Sequence, residues 1–74
     1  MPICHLTAII QREADQYVAL CPEVDIASQG ATVEDARANL TEAVELFFES
    51  ADRSEIDRRL HTDVFVTRIE VPVR

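Results

Sequence analysis

The sequence contains no lysine and no tryptophan, a single glycine (Gly30), two cysteines and two histidines. Each scarcity removes a class of function. Without lysine all seven basic side chains are Arg, set against 14 Asp and Glu, which leaves a formal net charge of -7 on 74 residues. A chain with that balance does not grip nucleic acid by itself, because phosphate binding rests on clustered cationic side chains releasing counterions. One glycine cannot build a glycine-rich phosphate loop. Cys4, His5, Cys21 and His61 are metal-ligand types, but no pair of them has the close spacing of a zinc site, and adjacent strand residues point to opposite faces. Nor do they form a nucleophile dyad with an oxyanion device or an orienting third group. The expectation is a chain with no metal, no cofactor and no catalytic residue.

Long hydrophobic runs are missing too. None approaches the roughly 20 residues that span a bilayer, and the start, Met1-Pro2-Ile3-Cys4-His5, lacks the basic segment that opens a signal peptide. A cytoplasmic protein with reduced thiols is expected.

What is present suffices to fold, since 47% of the residues are apolar and only three are proline. One domain over residues 1–74 is the architecture that fits. A core of this size rarely yields more than roughly 3–5 kcal/mol, so support from another chain is expected, as a homo-oligomer (dimer or tetramer) or with a partner.

Residues 3–11 and 17–21 are rich in β-branched and aromatic types and flank the polar run Arg12-Glu13-Ala14-Asp15-Gln16, which reads as a hairpin turn. A turn centred on Ala14-Asp15 pairs Arg12 with Tyr17, Ile10 with Ala19 and Ala8 with Cys21. In that register Cys4 lies about 13 Å along the strand from the position opposite Cys21, too far for an intrachain disulfide. Pro22 should break the second strand, and Val24 to Gln29 reads as a third, running to Gly30 as the place for a positive φ. Thr32 is a helix N-cap followed by Glu34 and Asp35, and Val33, Ala36, Leu40, Ala43, Val44, Phe47 and Ala51 form one stripe at helical period. Ser54 opens a shorter helix, Glu55 to Leu60. Asp63 to Val73 alternates Phe65, Thr67, Ile69, Val71 and Val73 against Val64, Val66, Arg68 and Glu70, the period of a strand. The predicted fold is α+β, a small antiparallel sheet with one long helix packed on it, in the order β-β-β-α-short α-β.

The hairpin carries Leu6, Ala8, Ile10, Tyr17, Ala19 and Cys21 on one face and Ile3, Ile9, Val18 and Leu20 on the other. One helix covers only one face, so the other is expected to meet a second chain. Residues 23–49 hold Glu23, Asp25, Glu34, Asp35, Glu42, Glu45 and Glu49 with only Arg37, which places -6 of the net charge there. A metal-dependent nuclease needs carboxylates converging from facing elements, whereas most of these line the solvent side of one helix. A solvated face or a docking surface for a basic partner is the reading that remains.

The stretch from Tyr17 to Ala36 (Y-V-A-L-C-P-E-V-D-I-A-S-Q-G-A-T-V-E-D-A), continued by Ala38-Asn39-Leu40 and Glu42-Ala43-Val44-Glu45-Leu46-Phe47, resembles the HicB-like antitoxin family over roughly residues 8–50. The resemblance lies in the Y-V-A-x-C-P strand end, the S-Q-G-x-T cap and the E-[DE]-A-x-x-N-L-x-E-A helix. It implies a degraded ribonuclease-H-like core. It also implies a partner: a small basic HicA-type messenger-RNA endoribonuclease with a double-stranded-RNA-binding-like fold and a catalytic histidine, which the antitoxin covers. The usual C-terminal DNA-binding module is not found here, so a short form is expected, with no direct contact to nucleic acid. Tyr17, Glu23, Asp25, Glu42, Glu45 and Glu49 are the expected partner-binding residues. The other reading is a stand-alone homo-oligomeric structural or regulatory domain without a toxin.

Overall fold

The computed structural model describes residues 3–74, leaving Met1 and Pro2 outside. Three strands, β1 (Ile9–Glu13), β2 (Gln16–Cys21) and β3 (Ile26–Gly30), are followed by a long helix α1 (Val33–Ser50) and a short helix α2 (Arg53–Leu60). The strands form one antiparallel sheet in the order β1-β2-β3, an α+β arrangement.

The hairpin turns at Ala14-Asp15, and Ile10 pairs with Ala19 and Arg12 with Tyr17 as the alternation requires. Ala14 takes the positive φ (56°) that this two-residue reversal demands without a glycine. The helix lies on the face that presents Ile10, Tyr17, Ala19 and Cys21. Ala19, Cys21, Val24, Ala36, Leu40 and Val44 form the buried core, rimmed by Leu6, Ile10, Tyr17, Ile26, Phe47 and Phe48. Alanines at 19 and 36, both fully buried, let the helix backbone come close to the sheet. The opposite face, with Ile9, Val18 and Leu20, has no second layer among the described residues; Leu20 is 36% exposed.

The junction between β3 and α1 fixes the helix position. Thr32, with extended backbone, accepts a 3.0 Å hydrogen bond from the Asp35 amide through its hydroxyl, and Glu34 and Asp35 stand in the positive first turn. Gly30 does not have the positive φ expected of it. Its requirement is steric instead, because a Cβ there would sit 2.5 Å from the Ala36 amide nitrogen. Beside it the Asn39 side-chain amide donates to the Gln29 carbonyl at 2.8 Å, tying the helix to the strand.

Four expected boundaries differ. Residues 3–8 form no strand, because β2 ends at Cys21 and Pro22 to Asp25 turn away, leaving nothing for them to pair with. Val24 and Asp25 precede β3 instead of opening it, with Val24 fully buried and Asp25 reversing the chain at φ 56°. The short helix starts at Arg53, before Ser54, with Asp52 at its N-cap. Asp63 to Val73 is not a strand in this chain: it has the alternation but no edge beside it, and Phe65 and Val73 are 88% and 90% exposed.

Candidate protein-docking surface

The outer side of α1 is built by the periodicity that builds the core. With Ala36, Leu40 and Val44 turned inward, Glu34, Arg37, Thr41, Glu42, Glu45 and Glu49 are exposed. Glu42, Glu45 and Glu49 follow one another at three and four residues and so share one stripe. Like charges at that spacing disfavour an isolated helix by a few tenths of a kcal/mol per pair, about 0.2–0.5. Among the described residues no cation pairs with them, since the ion pairs there (Arg53 with Asp57, Arg58 and Arg59 with Glu55) all lie within α2. The last turn of α1 has no basic residue to offset its negative end. Local stability accounts for none of this; the stripe of Glu42, Glu45 and Glu49 makes that part of the helix surface acidic.

The structure does not bring all six predicted partner residues together. Glu42, Glu45 and Glu49 share the helix stripe. Tyr17 is half-buried on the helix side of the sheet, where it packs against the core. Asp25 is exposed at the β2–β3 turn, and its left-handed backbone conformation gives it a structural role. Glu23 is engaged within the chain: its carboxylate accepts from the Thr7 hydroxyl at 2.6 Å and from the Thr7 amide at 3.1 Å. The Cys21 thiol donates to the same carboxylate at 3.5 Å. Burial opposes ionisation of Glu23, but the bonds from Thr7 prevail and hold its carboxyl below the ordinary value. Burial pushes the Cys21 thiol up, helped by the neighbouring Glu23 charge and only partly offset by the backbone at Val24. Both cysteines are free, Cys4 exposed and Cys21 buried.

Between the N-terminal segment and α1 lies an open groove of about 800 Å³. Ile3, Leu6, Leu40, Val44, Phe48 and Leu60 give it an apolar lining, and Glu45 and Glu49 carry the acidic stripe to it. Among the described residues no three His, Cys, Asp or Glu side chains gather as metal ligands, and no helix is long and apolar enough to cross a membrane. No family model matches the sequence, and comparisons with curated proteins and with solved structures give no match.

Three residues that organise this surface escape sequence reasoning. Thr7 pins the N-terminal segment through Glu23, sixteen positions away. Asn39 reaches Gln29 across the β3–α1 junction. Arg59 seats α2, donating to the Val24 carbonyl and to Glu55 while its guanidinium lies 4.8 Å from the Phe47 ring centroid. Each acts across a tertiary contact that no local spacing encodes; the one available signal was Asn39 within the helix motif.

Proposed function

We propose that this chain is an acidic protein-binding domain of antitoxin type, which sequesters a small basic endoribonuclease and keeps RNA from its active site. The observation that carries this reading is the exposed acid stripe Glu42, Glu45 and Glu49 on α1, which forms no ion pair among the described residues, in a chain of net charge -7. The resemblance of residues 8–50 to HicB-like antitoxins supports the same reading and names the partner as HicA-type. In this mechanism apolar contact holds the complex together, and the acid stripe steers encounter with the cationic surface that would otherwise bind phosphates. No bond is made or broken by the chain itself. Tyr17, Glu23 and Asp25 shape the strand ends and the turn, and contact with the partner falls chiefly to the helix acids.

A stand-alone homo-oligomer is a second reading, favoured by the sheet face of Ile9, Val18 and Leu20 that no element among the described residues covers. The two are separated by adding the purified chain to a basic ribonuclease encoded beside its gene. Stoichiometric loss of RNA cleavage, with one co-eluting complex, is the expected result. Undiminished cleavage with excess chain present would leave the oligomer reading alone.

A further inference from the structure

Two unfinished features of this fold match each other. The segment after α2 alternates as a strand does, yet it is unpaired, with Phe65, Val66, Ile69, Val71 and Val73 between 64% and 90% exposed. Among the described residues its hydrogen bonds are local ones, at Thr62 and between Thr67 and Arg68. Meanwhile the outer edge of β1 has no neighbour in the sheet, and the apolar groove opens between the segment preceding β1 and α1. An unpaired, alternating strand and an unpaired sheet edge are each a liability in water.

The dimensions agree. The wall of the groove along α1 runs from Arg37 to Glu49, about 18 Å at helical rise, and Phe65 to Val71 spans about 20 Å as a strand. The chemistry agrees as well. Phe65, Thr67, Ile69 and Val71 share one side of that strand and suit the lining of Leu40, Val44 and Phe48, while Val64, Val66, Arg68 and Glu70 share the other side, whose two charged residues suit water. Asp63 and Glu70 balance Arg68 and Arg74, so the segment is neutral and meets no repulsion from the acidic body.

The occupant of the groove is not this chain's own tail, which is carried outward. The Cα radius of gyration is 14.4 Å and the longest extent 49 Å, where a compact chain of this length has a radius of about 11 Å. The geometry points to a second copy: two chains exchange residues 64–71, each adding them as a strand to the free edge of β1 in the other, with Phe65, Ile69 and Val71 seated in the groove. The exchange is reciprocal, so one two-fold axis satisfies both edges and closes the assembly as a dimer. It requires no partner protein and stands or falls independently of the proposed antitoxin role.

Cys4 lines the groove and is exposed, which makes it a built-in reporter. The test mixes two full-length versions of different mass. One carries Cys21→Ala, leaving Cys4 as its sole thiol; the other carries Cys4→Ser and Cys21→Ala with one new cysteine at Thr67, Ile69 or Val71. Mild oxidation should link the two masses to each other at one or more of the three positions. A chain carrying both Cys4 and the tail cysteine that links only to itself would overturn the proposal, as would failure at all three positions. Sedimentation equilibrium supplies the second readout: the unmodified chain should be a dimer, and Ile69→Asp should weaken it at least about 30-fold, the size of a hot-spot loss. Ile69→Val should retain it. Ile69 is exposed within its own chain, so circular dichroism of the aspartate variant should show an intact helix; a monomeric unmodified chain, or a dimer indifferent to Ile69→Asp, would reject the exchange.

Discussion

The Thr7 hydroxyl donates a 2.6 Å hydrogen bond to the Glu23 carboxylate, and the Thr7 amide donates to the same group at 3.1 Å. One acid thus fastens the otherwise unpaired N-terminal segment to the turn after β2, and in doing so sets one wall of the groove. Glu23→Gln keeps the shape but replaces charge-assisted bonds with weaker ones, so it should cost about 1–2 kcal/mol at neutral pH. The pH dependence has a definite sign. Because the folded-state pKa of Glu23 lies below its unfolded value, near 4.3 for an ordinary Glu (about that of model peptides), the stabilisation is complete above that value and is lost as pH falls through the folded one. Urea midpoints of the native and Glu23→Gln chains should therefore converge on acidification; a constant gap down to the lowest pH would refute the assignment.

Gly30→Ala should destabilise for a reason unrelated to φ. The new methyl would meet backbone atoms of Asp35 and Ala36 at 2.5–2.7 Å, and the helix start must move to admit it. A cost of about 1–3 kcal/mol is expected from such overpacking, measured as a drop in denaturation midpoint. Equal stability would mean that the β3–α1 junction is looser than the contacts imply.

The helix itself was legible in the sequence because its information is local: a cap at Thr32 and a stripe of period 3.6 that puts Ala36, Leu40 and Val44 inside. The hairpin register was legible for the same reason. The role of Gly30 is not legible in the same way, because a glycine signals either a positive φ or a close approach, and only packing distinguishes them. Asp63 to Val73 has a strand's alternation, but pairing depends on an edge elsewhere, which pattern alone does not supply. Among the site residues, the helix acids could be placed from periodicity, whereas the engagement of Glu23 by Thr7 depended on a fold-level contact.

Truncations should separate core from rim. Leu40, only 4% exposed, should cost about 2–5 kcal/mol as Leu40→Ala. Phe47 is half-buried and stacks on Arg59, so Phe47→Ala should cost less than Leu40→Ala and should also release α2. Glu45→Ala, on the exposed stripe, should fall within about 0.5 kcal/mol of the native chain. Hydrogen exchange of α2 amides, accelerated in Phe47→Ala and in Arg59→Ala but not in Glu45→Ala, would verify the attachment; equal protection in all three would argue against it.

The two thiols should differ sharply in reactivity. Cys4 is exposed, whereas Cys21 is buried and its pKa is raised by that burial, which leaves little thiolate at neutral pH. Iodoacetamide under native conditions should modify Cys4 alone, with Cys21 reacting only after denaturation. Equal labelling of both by mass spectrometry would show that the core around Cys21 opens readily.

The acid stripe carries the functional reading, and its effect should appear in rates more than in lifetime. Replacing Glu42, Glu45 and Glu49 together with Gln removes three charges from an exposed face that makes no ion pair among the described residues, so the fold should survive. Charges that steer two proteins together act before contact and are screened by salt, at a Debye length of about 8 Å at physiological ionic strength. Association of the triple variant with a basic ribonuclease should accordingly slow at low salt and lose most of its salt dependence, while dissociation, governed by apolar contact, changes less. Measuring both rates at two salt concentrations decides the matter. An association rate that is unchanged at low salt would make the stripe a merely hydrated helix face, and the docking surface would then have to be sought on the sheet face of Ile9, Val18 and Leu20.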